Sequence, residues 1–145
     1  MTQPLVFITG ASSGIGQALV ARYAAAGWRL ALVARRGAEM TAWAEAQGWD
    51  AQRWRVYPAD VAEVESIVAA GRACLAAQGV PPRQCLVAED SLYALQTAAA
   101  AGYRTVGIFD ANGEANQQGL RNAAEVYLTS LARLPAHWER LNNEN

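Results

Sequence analysis

Three glycines at a fixed spacing, Gly10, Gly14 and Gly16, lie in the turn Thr9-Gly-Ala-Ser-Ser-Gly-Ile-Gly16 between an apolar run and a helix-period segment. Glycine lets the backbone take positive φ and lets a phosphate come close to the main chain. The N–H groups at the start of the following helix then face the anion. Ser12 and Ser13 add hydroxyl donors, and Ile15 completes the turn. The chemistry implied is the binding of a nucleotide phosphate. A second constellation, Cys85-Leu-Val-Ala-Glu-Asp-Ser91, is an apolar strand that ends in two carboxylates, Glu89 and Asp90. Negative charge suits the N-terminus of the helix that follows, so both are expected to cap it. All 12 basic residues are arginine, which excludes any mechanism built on a titratable or Schiff-base lysine.

Strand-like and helix-like segments alternate around these residues from end to end. Leu5–Ile8, Leu30–Val33, Leu86–Ala88 and Thr105–Phe109 read as buried strands. Arg53–Tyr57 alternates polar and apolar, as an edge strand does. Helices are expected from Gly16 to Tyr23 and onward to Gly27, over Glu39–Gln47, over Ala62–Gln78 and over Leu92–Ala101. This alternation predicts an α/β fold: a doubly wound, Rossmann-like, three-layer α/β/α sandwich on a parallel sheet of order 3-2-1-4-5(-6). The sixth strand is expected at Val126–Leu128 and a last helix at Pro135–Leu141, with Asn142–Asn145 frayed. The loop Ala111–Gly119 is the most mobile stretch by composition.

A chain of 145 residues, 52% hydrophobic and 17% charged, fits one globular domain. The net charge of −1 gives no general attraction to nucleic acid or to an anionic membrane. No run approaches the roughly 20 apolar residues that span a bilayer, and no signal peptide is evident. Cys74 and Cys85 read as small buried residues of a reducing compartment, so a cytoplasmic protein is expected. His137 is the sole histidine and is expected to pack at the surface. Trp28, Trp43, Trp49, Trp54 and Trp138 are spread widely and are expected to pack helices and loop ends.

From about Pro4 to Gly79 the sequence resembles the short-chain dehydrogenase/reductase family. Thr9–Gly16 is similar to that family's cofactor turn, Val33-Ala34-Arg35-Arg36 to the end of its second strand, and Asp60-Val61 to the pair that lies over the adenine. An acidic residue at the position of Ala34 would accept the ribose 2′-hydroxyl of NAD. Arg35 and Arg36 imply instead the extra phosphate of NADP. The cofactor-binding residues implied are Gly10, Ser12, Ser13, Gly14, Ile15, Gly16, Arg35, Arg36, Asp60 and Val61. The resemblance also requires a tyrosine followed four residues later by lysine. Tyr93 is followed at that spacing by Thr97, and the chain has no lysine.

From about Gly79 to Leu134 the sequence resembles the C-terminal half of a haloacid dehalogenase-like hydrolase. The matching stretches are Gly79–Ser91, Ala98–Gly102 and Thr105–Asp110. In that family the acidic pair holds Mg²⁺ beside a phosphoryl group, but the nucleophilic Asp-x-Asp and the lysine it needs are missing from this chain. The two resemblances together predict a chimeric Rossmann-like domain, recombined or engineered near Gly79. It is expected to lack catalytic residues and a metal site, not to be an enzyme, and to keep NADP(H) binding. The alternatives are a weak Mg²⁺-dependent phosphohydrolase and a nucleotide-sensing or interaction module without catalysis. The partner implied is a dinucleotide, with neither nucleic acid nor membrane.

Overall fold

The computed structural model describes residues 3–12 and 14–133. It divides into two compact units, Met1–Gly79 and Val80–Asn145. The first unit runs β1 (Leu5–Thr9), α1 (Gly14–Ala25), β2 (Arg29–Ala34), α2 (Gly37–Ala46), β3 (Trp54–Pro58) and α3 (Val64–Gln78). Its three strands are parallel in the order β1-β2-β3, with Thr9 opposite Val33 and Val33 opposite Tyr57. Strand β2 is flanked on both sides, and Leu30 to Ala34 are all at most 4% exposed. This is why its sequence is a continuous apolar run rather than an alternating one. Strand β3 pairs with β2 at the margin of this sheet, in keeping with its alternating pattern.

Period-two alternation sends the sheet's side chains to two cores. Ile8, Leu30, Leu32 and Ala34 pack with Val20 and Ala24 of α1 and with Met40 and Ala44 of α2. On the other face Val33, Phe7 and Tyr57 pack with Ile67 and Ala70 of α3. Burying one such aliphatic side chain stabilises by roughly 1.5–3 kcal/mol. Among the described residues Trp28, Trp43, Trp49 and Trp54 pack as expected. Trp43 meets Trp49 edge-on at 5.6 Å, Trp28 lies 4.9 Å from Tyr23, and Trp54 packs against the first core.

The second unit runs β4 (Leu86–Glu89), α4 (Leu92–Ala100), β5 (Arg104–Ile108), α5 (Gln117–Ala123) and β6 (Val126–Leu128), with single 3-10 turns at Pro82–Gln84 and Leu131–Arg133. Its sheet is parallel in the order β4-β5-β6. Leu95 of α4, Leu120 of α5, Val106 and Leu128 are its buried residues, each at most 2% exposed. Thr105 is buried too, and its hydroxyl donates to the Ala123 carbonyl at 3.4 Å and accepts the Glu125 N–H at 3.3 Å.

The α/β class, the parallel strands and the sixth strand are as the sequence predicts. Of the expected order 3-2-1-4-5-6, the described ladders give β1-β2-β3 in one sheet and β4-β5-β6 in the other. Helix α5 is a correction, since composition suggested a loop through Gly119. Asn116 starts this helix by accepting the Gly119 N–H at 2.8 Å on its side-chain oxygen. The helix expected at 135–141, with His137 and Trp138, lies outside the described residues, as does the frayed end.

Candidate functional site

The parallel register brings three loops to the carboxyl edge of the first sheet: the glycine turn after β1, Arg35-Arg36 after β2 and Ala59-Asp60-Val61 after β3. Gly10 has φ +62° and Gly14 has φ +51°, a region that side chains other than glycine's rarely enter. Ala11, fully buried, donates its N–H to the Val33 carbonyl at 3.1 Å and so ties the turn to β2. A Cβ on Gly16 would stand 2.0 Å from the Gly10 carbonyl oxygen. The first turn of α1 therefore crosses the strand end closer than any side chain allows.

Helix α1 has no acidic residue in its first turn. The N–H groups of that turn lack intrahelical acceptors, and the helix dipole adds positive potential there. Ser12 and Gly14 are exposed, and Ile15 is 79% exposed. Ser13 lies outside the described residues. An apolar side chain as open as Ile15, beside an anion-binding turn, suits the flank of a bound nucleotide. A glycine cradle with free helix-terminal donors thus fits a pyrophosphate.

At the end of β2, Ala34 is 4% exposed and offers no acceptor. Arg35 is exposed and makes no ion pair among the described residues. Arg36 lies 3.1 Å from a Glu39 oxygen, with both side chains more than 60% exposed. Such a pair is worth little and exchanges readily for a phosphate. Two exposed guanidinia thus stand at this strand end with no acidic residue at Ala34, a donor set that can take an anion. Asp60 is committed locally: its Oδ1 accepts the Ala62 N–H at 3.0 Å, and its own N–H donates to Ser66 Oγ at 3.1 Å. Val61, 60% exposed, is the open apolar member of the expected adenine-facing pair.

In the second unit, β4 ends at Glu89, followed by Asp90 and Ser91. The expected capping by Glu89 and Asp90 is corrected by the structure. Ser91 stands at the cap and accepts the Ala94 N–H at 3.4 Å, while Glu114 accepts the Leu92 N–H at 3.1 Å. The acidic pair falls one and two residues too early. Burial, with the neighbouring Asp90 charge, pushes the Glu89 carboxyl above the ordinary carboxylate range. Glu114 is held below that range by the N–H groups of Asn116 and Leu92. Sequence reasoning missed Glu114. Its only signal is that it follows Asn112-Gly113, a turn in which the Asp110 carboxylate accepts the Asn112 N–H at 2.9 Å. Among the described residues no group of three or more potential ligands could hold a metal ion, and no helix is long and apolar enough to cross a membrane.

The short-chain dehydrogenase family model matches residues 4–82, which include every cofactor residue implied by the sequence. No curated protein matches the chain. Among solved structures, a short-chain dehydrogenase from Streptomyces avermitilis is similar with a TM-score of 0.55 and 20% identity, over 99% of this chain and 61% of its own. A metagenomic short-chain oxidoreductase solved in complex with NADP aligns at 0.50 and 19% identity, over 77% and 64%. A haloacid dehalogenase-like protein of unknown function from Agrobacterium tumefaciens aligns at 0.52 and 22% identity, over 78% and 55%. Likeness at this identity shows a shared Rossmann-like fold. The chain spans 55 to 64% of the lengths of the metagenomic and Agrobacterium proteins and 61% of the Streptomyces one.

The family match overturns the expectation that this chain is not an enzyme, because it points to an oxidoreductase family. That expectation took 145 residues as the span within which a whole active site must be found. This chain covers less than two thirds of each of those solved structures.

Proposed function

Because the chain belongs to the short-chain dehydrogenase family, we propose that its first unit is the NADP(H)-binding part of an oxidoreductase. The glycine turn Gly10–Gly16 would hold the pyrophosphate, with Ser12 and Ser13 as donors. Arg35 and Arg36 would take the 2′-phosphate, and Val61 and Ile15 would cover the dinucleotide's apolar faces. A bound NADPH supplies a hydride. The residues named here bind and orient it. The observation that carries this reading is the 2.0 Å approach between a Gly16 Cβ and the Gly10 oxygen, a crossing built for a ligand-facing main chain. The NADP complex of the metagenomic relative supports the choice of cofactor. The haloacid dehalogenase-like neighbour is in keeping with a composite chain whose seam lies near Gly79, where the two units meet in sequence.

Cofactor preference is the test. NADPH fluorescence, titrated against the full chain, is expected to saturate at a concentration about tenfold or more below that for NADH, the worth of one charge-assisted contact. Replacing both Arg35 and Arg36 by alanine is expected to erase that difference while leaving NADH unaffected. Equal affinity for the two cofactors, or no saturation with either, would contradict the reading.

A further inference from the structure

A polar cavity lies on the sheet of the first unit, lined mainly by residues at the starts of its three strands. Arg29, Arg53 and Arg55 line it with Tyr57 and Gln78, and its volume is about 70 Å³. Two of the arginines are clamped in place. Arg29 Nε donates to the Gln3 carbonyl at 3.0 Å, and its guanidinium also bonds Gln78 Oε1. Arg53 Nη2 donates to the carbonyls of Ala24 at 2.9 Å and Trp28 at 3.1 Å. These bonds leave Arg53 Nε buried with no partner. The Tyr57 hydroxyl is likewise buried, near Arg55 and the Cys74 thiol but in hydrogen-bonding geometry with neither. No carboxylate lines the cavity, and the ion pairs among the described residues, Arg36–Glu39 and Arg104–Glu125, lie elsewhere.

A guanidinium cannot relieve this crowding by losing its proton. Three like charges around one small space are therefore compensated by water or by a counter-anion, and partial desolvation favours the anion. We propose that the cavity binds one small tetrahedral oxyanion of the phosphate or sulfate class. Arg29, Arg53 and Arg55 are its charged ligands and Tyr57 is a further donor. A cavity of about 70 Å³ suits such an ion and is far smaller than the roughly 300–1,000 Å³ of pockets that take larger ligands. Planar guanidinia present paired donors that match its oxygens. The site is separate from the glycine turn and does not depend on cofactor binding there.

Inorganic phosphate is the probe, titrated calorimetrically into the full chain in chloride buffer and again with NADPH present. One saturable site per chain is expected in both cases. Thermal unfolding should rise with phosphate or sulfate more than with chloride at equal ionic strength. Arg55 is exposed, so Arg55→Gln is expected to fold and to weaken phosphate binding about tenfold. Arg55→Lys, which keeps the charge without the fork, serves if the glutamine variant does not fold, and it should weaken binding severalfold. The double variant Arg35→Ala, Arg36→Ala should bind phosphate as the parent does. The proposal is overturned by a lack of saturation in the millimolar range or by unfolding that follows ionic strength alone. Binding that survives the Arg55 variants, or is lost with Arg35 and Arg36, overturns it equally.

Discussion

A methyl group at residue 16 would overlap the Gly10 carbonyl oxygen, so backbone approach rather than charge sets the shape of the glycine turn. Gly16→Ala is expected to cost about 1–3 kcal/mol of stability by overpacking and to abolish saturable NADPH binding. Denaturant unfolding and fluorescence titration measure the two effects. Glu89 gives a pH signature in the second unit. Its carboxyl is raised by burial, so the folded state holds the proton more tightly than the unfolded one. The stability it contributes is complete below the ordinary carboxylate range and is lost as pH rises through the elevated value. Glu89→Gln should therefore melt higher than the parent at neutral pH, and the gain should shrink as pH falls through the elevated value and vanish once pH is below the ordinary carboxylate range. A gain that grows with acid would contradict the assignment. The glycine turn and the exposed arginine pair at the end of β2 were legible in the sequence because turn geometry and strand-end exposure follow from residue type and spacing. The Arg36–Glu39 pair, the local bonds of Asp60 and the cap made by Glu114 were not, because each depends on side-chain geometry.

Elements with one dominant physical cause were legible, and those with two competing causes were not. Strand β2 reads as buried because every residue from Leu30 to Ala34 is apolar, and the structure encloses all of them. Strand β3 reads as an edge because Arg53 and Arg55 alternate with Trp54 and Val56, and it pairs on β2 at the sheet's margin. Helix α3 begins at Val64 rather than Ala62, since the Asp60 carboxylate holds Ala62 in a turn. Helix α5 was hidden by Gly119 in its first turn and by the lack of an apolar stripe. What secures it is the Asn116 cap at its start and the insertion of Leu120, which is fully buried. Asn116→Ala is expected to cost about 1 kcal/mol. Amide exchange should quicken over Gln117–Ala123 and leave α1 to α3 unchanged. Protection that is equal in the variant would show that burial of Leu120 alone holds the helix.

At the scale of the molecule, each unit lays three parallel strands with its loops at their carboxyl ends, a geometry that both resembled families use. Parallel alternation made the α/β class readable from periodicity alone. The inference from missing catalytic residues to a missing activity did not survive, since Tyr93 and Thr97 speak only for the residues present and the chain spans little over half of some relatives. What this chain itself carries is a glycine turn with a basic strand end beside it, the arrangement proposed to cradle a dinucleotide phosphate. Backbone amide chemical shifts, followed by NMR as NADPH is added to the full chain, test that account most directly. The account predicts saturable shifts at Gly10, Ser12, Gly14, Ile15 and Gly16, with Arg35 and Arg36 moving at the same concentration. Shifts confined to other residues, or none at saturating cofactor, would contradict it.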